Sequence, residues 1–92
     1  MLMKVKNTLR IKNTAFDDEI LDLINAAKSD LELSGVSSSK AEDESDPLII
    51  RAINIYCKMT YADTPQEAQI LQDSYNSLKI HLSLAGDYNA VD

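Results

Sequence analysis

Few residues in this chain have chemical potential, and their spacing excludes most chemistry. His81 is the only histidine and Cys57 the only cysteine. No cysteine or second histidine stands three or four residues from His81, so no helical pair is present to share a metal ion. Cys57 follows Tyr56 in an apolar stretch, with Lys58 as the one cation beside it. A reactive thiolate needs an exposed, electropositive setting, so Cys57 reads as an interior or interface thiol and His81 as a histidine on a helix rim. The run Glu42, Asp43, Glu44 and Asp46 carries enough charge to attract a cation. It lacks the alternating ligands, turn glycine and closing glutamate of a calcium loop, and reads as a solvated acidic loop. Asp18, Glu19 and Asp22 share a helical face, but paired carboxylates without a pocket or a tuned partner make no acid–base site. Phosphate-loop, dinucleotide, nucleophile-elbow and zinc-hydrolase motifs do not occur. The residues predict no enzyme, no cofactor and no metal.

The tyrosines are more suggestive. Tyr56, Tyr61 and Tyr75 each join an apolar ring to a polar tip, a combination enriched at protein interfaces. The competing assignment is that Tyr56 and Tyr75 pack against each other inside the fold.

The elements that hold these residues are marked by two helix starts. Asp46-Pro47 opens one apolar helix and Thr64-Pro65-Gln66-Glu67 opens the next. Asp and Thr accept hydrogen bonds from unpaired first-turn N–H groups, and proline suits the first helical position, where its missing N–H would have no partner. Thr64 and Glu67 also fit a capping box. The short gap between the two helices predicts an antiparallel hairpin. Upstream, Leu2, Val5 and Leu9 at i, i+3 and i+7 predict a short helix ending near Ile11. Asp17, Asp18 and Glu19 then sit where carboxylates favour the positive end of a helix dipole. They open a helix from about Phe16 to Ser34, with Ile20, Ile24, Ala27 and Leu31 as its stripe and Gly35 as its stop. Residues 36–45 are rich in Ser and acid and predict a flexible loop. The helix from Pro47 to about Ala62 carries Leu48, Ala52, Ile55, Tyr56 and Met59 on one face, widened by Ile49 and Ile53. The last helix, Pro65 to about Ala85, shows Leu71, Tyr75, Leu78 and Leu82. The expectation is an all-α domain over residues 1–86, a small bundle of about four helices with a C-terminal hairpin, followed by a polar tail over 87–92.

Composition agrees with this. Hydrophobic residues make up 45% of the 92, with only two glycines and two prolines, too apolar for a disordered chain and too poor in turn residues for a sheet-rich one. A domain this small buries only about 60–65% of its unfolded surface, so association with other chains would add stability. The lone cysteine and the cations that interrupt the N-terminal apolar residues suggest a reducing cytosolic setting without a signal peptide or membrane span. The net charge of −6 is uneven. Lys4, Lys6, Arg10 and Lys12 make the start basic, whereas residues 13–46 are strongly acidic. An acidic protein without a basic recognition helix is a poor general binder of nucleic acid.

Three stretches, VKNTLRI, DDEILDLINAAKSDLE and DPLIIRAINIYCKMTY, the last followed by SYNSLKIHL, resemble the small head–tail connector (head-completion adaptor) proteins of tailed bacteriophages. Leu9, Arg10, Ile11, Asp17, Asp18, Ile24, Ala26, Ala27, Pro47, Ala52, Ile53, Tyr61 and Tyr75 match that pattern. The resemblance implies a virion protein assembled in the host cytoplasm as a ring of about a dozen copies. That ring would join portal and head to the tail-side adaptor, complete the head and help retain packaged DNA. DNA would pass through the channel without sequence-specific binding, and the resemblance implies neither a membrane nor a small-molecule substrate as partner. The opposite charges of the N-terminal segment and the next helix start, with two tyrosines, mark Lys4, Lys6, Arg10, Asp17, Asp18, Glu19, Tyr61 and Tyr75 as the candidate subunit interface. A cytosolic helical adaptor or regulator that binds a protein partner is the alternative.

Overall fold

The computed structural model describes residues 1–90; Val91 and Asp92, the end of the polar tail, lie outside the described residues. The order is α1 (Leu2–Leu9), α2 (Asp17–Leu33), α3 (Ser38–Ala41), α4 (Pro47–Thr60) and α5 (Pro65–Leu84). The fold is all-α, four longer helices plus the single turn of α3, within 42 × 27 × 18 Å.

Local chemistry sets the helix ends. Asp46 Oδ1 accepts from the N–H groups of Leu48 (2.9 Å) and Ile49 (3.3 Å), and Thr64 Oγ1 accepts from Glu67 N–H (3.1 Å). The return bond of the box runs from Asp63 N–H to Glu67 Oε2 (3.3 Å), one residue before the cap. α2 ends as its glycine predicts. Gly35, at φ +108°, donates to Glu32 O, and Val36 N–H reaches back to Leu31 O, the Schellman pattern that a left-handed residue allows. α1 ends by the same pair of bonds, Arg10 to Asn7 O and Ile11 to Lys6 O, but with Arg10 at φ 60° where glycine is usual.

α4 lies at the centre, packed against α1, α2 and α5. Ile49, Ala52, Ile53 and Cys57 of α4 are fully buried, with Val5, Ile20, Ala27, Leu31 and Leu82 around them. The buried stripe of α4 is therefore rotated from the expected one, since Leu48 is exposed and Ile55 and Met59 are half-buried. α4 is apolar over most of its circumference, so periodicity alone does not select the innermost side; three neighbouring helices do. α5 returns antiparallel, placing Tyr75 beside Tyr56 with rings edge-to-face at 5.3 Å and Leu78 beside Arg51.

The segment 36–45 contains more structure than its composition suggests. Val36 and Ala41 are buried, and Ser37 caps the turn of α3. The chain after α5 comes back to meet it. Ser37 N–H donates to Tyr88 O (2.8 Å), Ala90 N–H donates to Gly35 O (2.9 Å), and the Tyr88 hydroxyl donates to Asp46 Oδ2 (2.9 Å).

Candidate assembly surfaces

The predicted contact residues divide into those the protomer uses itself and those it leaves outside. Lys6 is 5% exposed and its Nζ lies 2.7 Å from Asp17 Oδ1, so these two opposite charges meet inside one chain. Tyr75 is 1% exposed. Its hydroxyl donates to Asp30 Oδ2 (2.6 Å), and Lys79 Nζ donates to the same oxygen (3.2 Å). Burial first, then the Asp30 carboxylate, push the Tyr75 phenol far above its ordinary range. Tyr61 is half-buried at the end of α4, its ring edge-on to Phe16 at 6.4 Å. Burial, with Glu19 nearby, raises its phenol too. Lys4, Arg10, Asp18 and Glu19 are exposed, and Lys4 Nζ donates to Glu44 O (3.1 Å).

The acidic loop is held by a residue that sequence reading passed over. Lys28 occupies a core-facing position of α2, 7% exposed, and its ammonium reaches out to Glu44 Oε2 (2.7 Å) and Glu42 Oε2 (3.4 Å). Burial by itself would lower the Lys28 pKa; the two carboxylates outweigh it and raise it. The hydrogen bond from Lys28 in turn holds Glu44 below the usual carboxylate range. A lysine at that position of the α2 stripe was the available signal, since a charge on a buried face needs a partner.

Burial and absence of convergent ligands describe the remaining candidates. Cys57 is fully buried, and burial pushes its thiol up to about 11. His81 is exposed on α5. Among the described residues no three His, Cys, Asp or Glu side chains converge on a metal-sized site, and no helix is long and apolar enough to cross a membrane.

Two charged surfaces remain. The side of α4 turned away from the core is the floor of a shallow groove of about 380 Å³, walled by Thr8 of α1 and Leu71 of α5. Arg51 and Lys58 are exposed along it, and neither has an ion-pair partner among the described residues. The side-chain oxygen of Asn54, in the same groove, is buried without a hydrogen-bond partner. An open depression sharing Arg51 and Ile55 continues the groove to Asp73 and Leu78. The second surface is the outer side of α2. There Asp18, Asp22, Asn25, Ala26, Ser29 and Leu33 are all exposed, opposite the buried Ile20, Ile24, Ala27 and Leu31.

The protomer thus ties Lys6, Lys28 and Lys79 into internal ion pairs and leaves Arg51, Lys58, Asp18 and Asp22 exposed on two outer faces. Residues 1–89 match the phage connector protein family. The chain belongs to that family and has its structural connector role. No curated protein and no solved structure matches it.

Proposed function

We propose that this protein is a virion component that forms a ring at the portal vertex, joins the DNA-filled head to the tail and helps retain the packaged genome. The observation that carries this reading is the family match over residues 1–89. The physical features support it. A protomer of this size has a modest core, and closure into a ring buries further surface on every copy. An overall charge of −6 would repel DNA moving through a channel and keep it from adhering. The ring is static scaffolding, without catalysis and without a cofactor. It assembles from free chains in the host cytoplasm and ends in the virion, against the portal on one side and the tail-side adaptor on the other.

In this reading the subunit contacts include the exposed members of the predicted set, Lys4, Arg10, Asp18 and Glu19, with Tyr61 at their edge. Arg10 fits such a role. Its left-handed conformation, which costs a residue with a Cβ about 1–2 kcal/mol, closes α1 through the two capping hydrogen bonds and leaves its cation exposed to a neighbouring copy. Electron microscopy of lysates from a phage deleted for the protein tests the function. Separate heads and tails, with heads that have lost DNA, are expected. Normal tailed particles at wild-type yield would overturn it.

A further inference from the structure

We infer that the groove on the outer side of α4 receives the outer side of α2 from the next copy of this chain. The inference rests on the ring reading above and adds which two surfaces meet.

The first argument is placement. α2 packs against α4, α4 turning Ile49, Ala52 and Ile53 inward and α2 turning Ile20, Ile24 and Leu31 inward. Arg51 and Lys58 face away from that contact on one side, and Asp18, Asp22 and Leu33 face away from it on the other. Surfaces on opposite sides of one protomer cannot pair within it. They pair only head-to-tail with a neighbour, and a repeated head-to-tail contact closes a ring when its rotation allows.

Charge and shape agree. Arg51 and Lys58 leave the groove with two uncompensated cations, set against the single carboxylate of Asp73, which already accepts from Gln69 Nε2 (2.9 Å). The outer side of α2 is acidic at its start and carries no cation. Complementary faces of this kind fix orientation and register. At 1.5 Å per residue α4 is about 21 Å long and α2 about 26 Å, so one helix can lie along the other. Arg51 and Lys58 stand about 10 Å apart along α4, and Asp18 and Asp22 about 6 Å apart along α2, a difference that flexible cationic side chains span.

The outer side of α2 also permits close helix approach, since Ala26 and Ser29 are small and exposed there.

Two variants test the pairing, R51E/K58E in the groove and D18K/D22K on α2, with helicity checked by circular dichroism. All four residues are exposed. Sedimentation velocity at low ionic strength should show each variant self-associating at least about tenfold more weakly than wild type. An equimolar mixture of the two should associate again, because each reversed surface then meets an opposite charge. Carbodiimide coupling of a mixture of isotopically labelled and unlabelled wild-type chains at high protein concentration gives a second readout. It should link Lys58 of one copy to Asp18 or Asp22 of another. If wild type assembles and both variants assemble equally well, the pairing is wrong and the ring stands. If wild type neither assembles nor cross-links between copies, the ring reading fails and this inference with it.

Discussion

Replacing Tyr75 by phenylalanine removes a single oxygen, and the structure says what that oxygen does. Tyr75 is 1% exposed, and its hydroxyl ties α5 to α2 through Asp30 Oδ2 at 2.6 Å. Phenylalanine keeps the ring and its edge-to-face packing on Tyr56, so the substitution isolates the bond. A hydrogen bond to a charged group contributes about 1.5–3 kcal/mol. The Asp30 side chain is 35% exposed and keeps Lys79 Nζ at 3.2 Å, so water and the lysine satisfy it after the loss. That sets the expected cost of Tyr75→Phe at the lower end, about 1.5 kcal/mol. For a domain of this size 1 kcal/mol corresponds to about 4–8 °C in Tm, which gives a fall of about 6–12 °C. Urea denaturation with an unchanged slope is the assay. The pH dependence adds a second reading. The Tyr75 pKa is raised in the folded state, so the folded protein holds this proton more tightly than the unfolded chain does. The resulting stabilisation is complete below the ordinary tyrosine value of about 10 and is lost as pH climbs past it. Wild-type stability should therefore fall above about pH 10, and the Tyr75→Phe variant should fall less steeply. A loss below about 0.3 kcal/mol, against the expected 1.5, would refute the tie between α2 and α5.

The other predictions concern the core, the loop and the thiol. Ile53→Ala, at a fully buried centre of α4, should cost about 2–5 kcal/mol in chemical denaturation; under about 0.5 kcal/mol would place Ile53 outside a packed core. Glu44 has its pKa lowered by Lys28, so its contribution is present above the ordinary glutamate value of about 4.3 and disappears as pH falls through the folded value. Stability measured from pH 6 down to 3 should therefore decline less steeply for Glu44→Gln than for wild type, and parallel curves would contradict the Lys28 clasp. Cys57, buried with its thiol pushed up to about 11, should react with a disulfide reagent at pH 8 only once denaturant is added. Immediate labelling of the native protein would mean the α4 core is open.

Local signals were legible and tertiary ones were not. The starts of α4 and α5 follow from Asp46-Pro47 and Thr64-Pro65, and the end of α2 from Gly35, because caps are decided within one turn of chain. The stripe Ile20, Ile24, Ala27 and Leu31 is equally readable, since the acids of α2 fall away from it and both its isoleucines fall on it. α4 is apolar nearly all round, so its innermost side depends on which helices surround it. The turn of α3 depends on Val36 and Ala41 meeting the core and on Tyr88 and Ala90 returning to pair with the segment. Lys6 and Asp17 illustrate the limit for the candidate surface. Opposite charges read along a chain do not reveal whether they will meet inside one copy or between two, and here they meet inside. Arg51 and Lys58 gain significance only when Thr8 and Leu71 arrive from other helices to wall the groove.

The central claim, that this family member works as a ring, is tested most directly by sedimentation velocity of the purified protein in dilute salt across a wide concentration range, with negative-stain imaging of the heaviest species. Exposed ionic contacts are screened by salt, so association should strengthen as salt is lowered and protein concentration raised, and the largest species should be a closed ring of about a dozen copies. A single monomer or dimer boundary at every concentration, with no ring in the images, would contradict it.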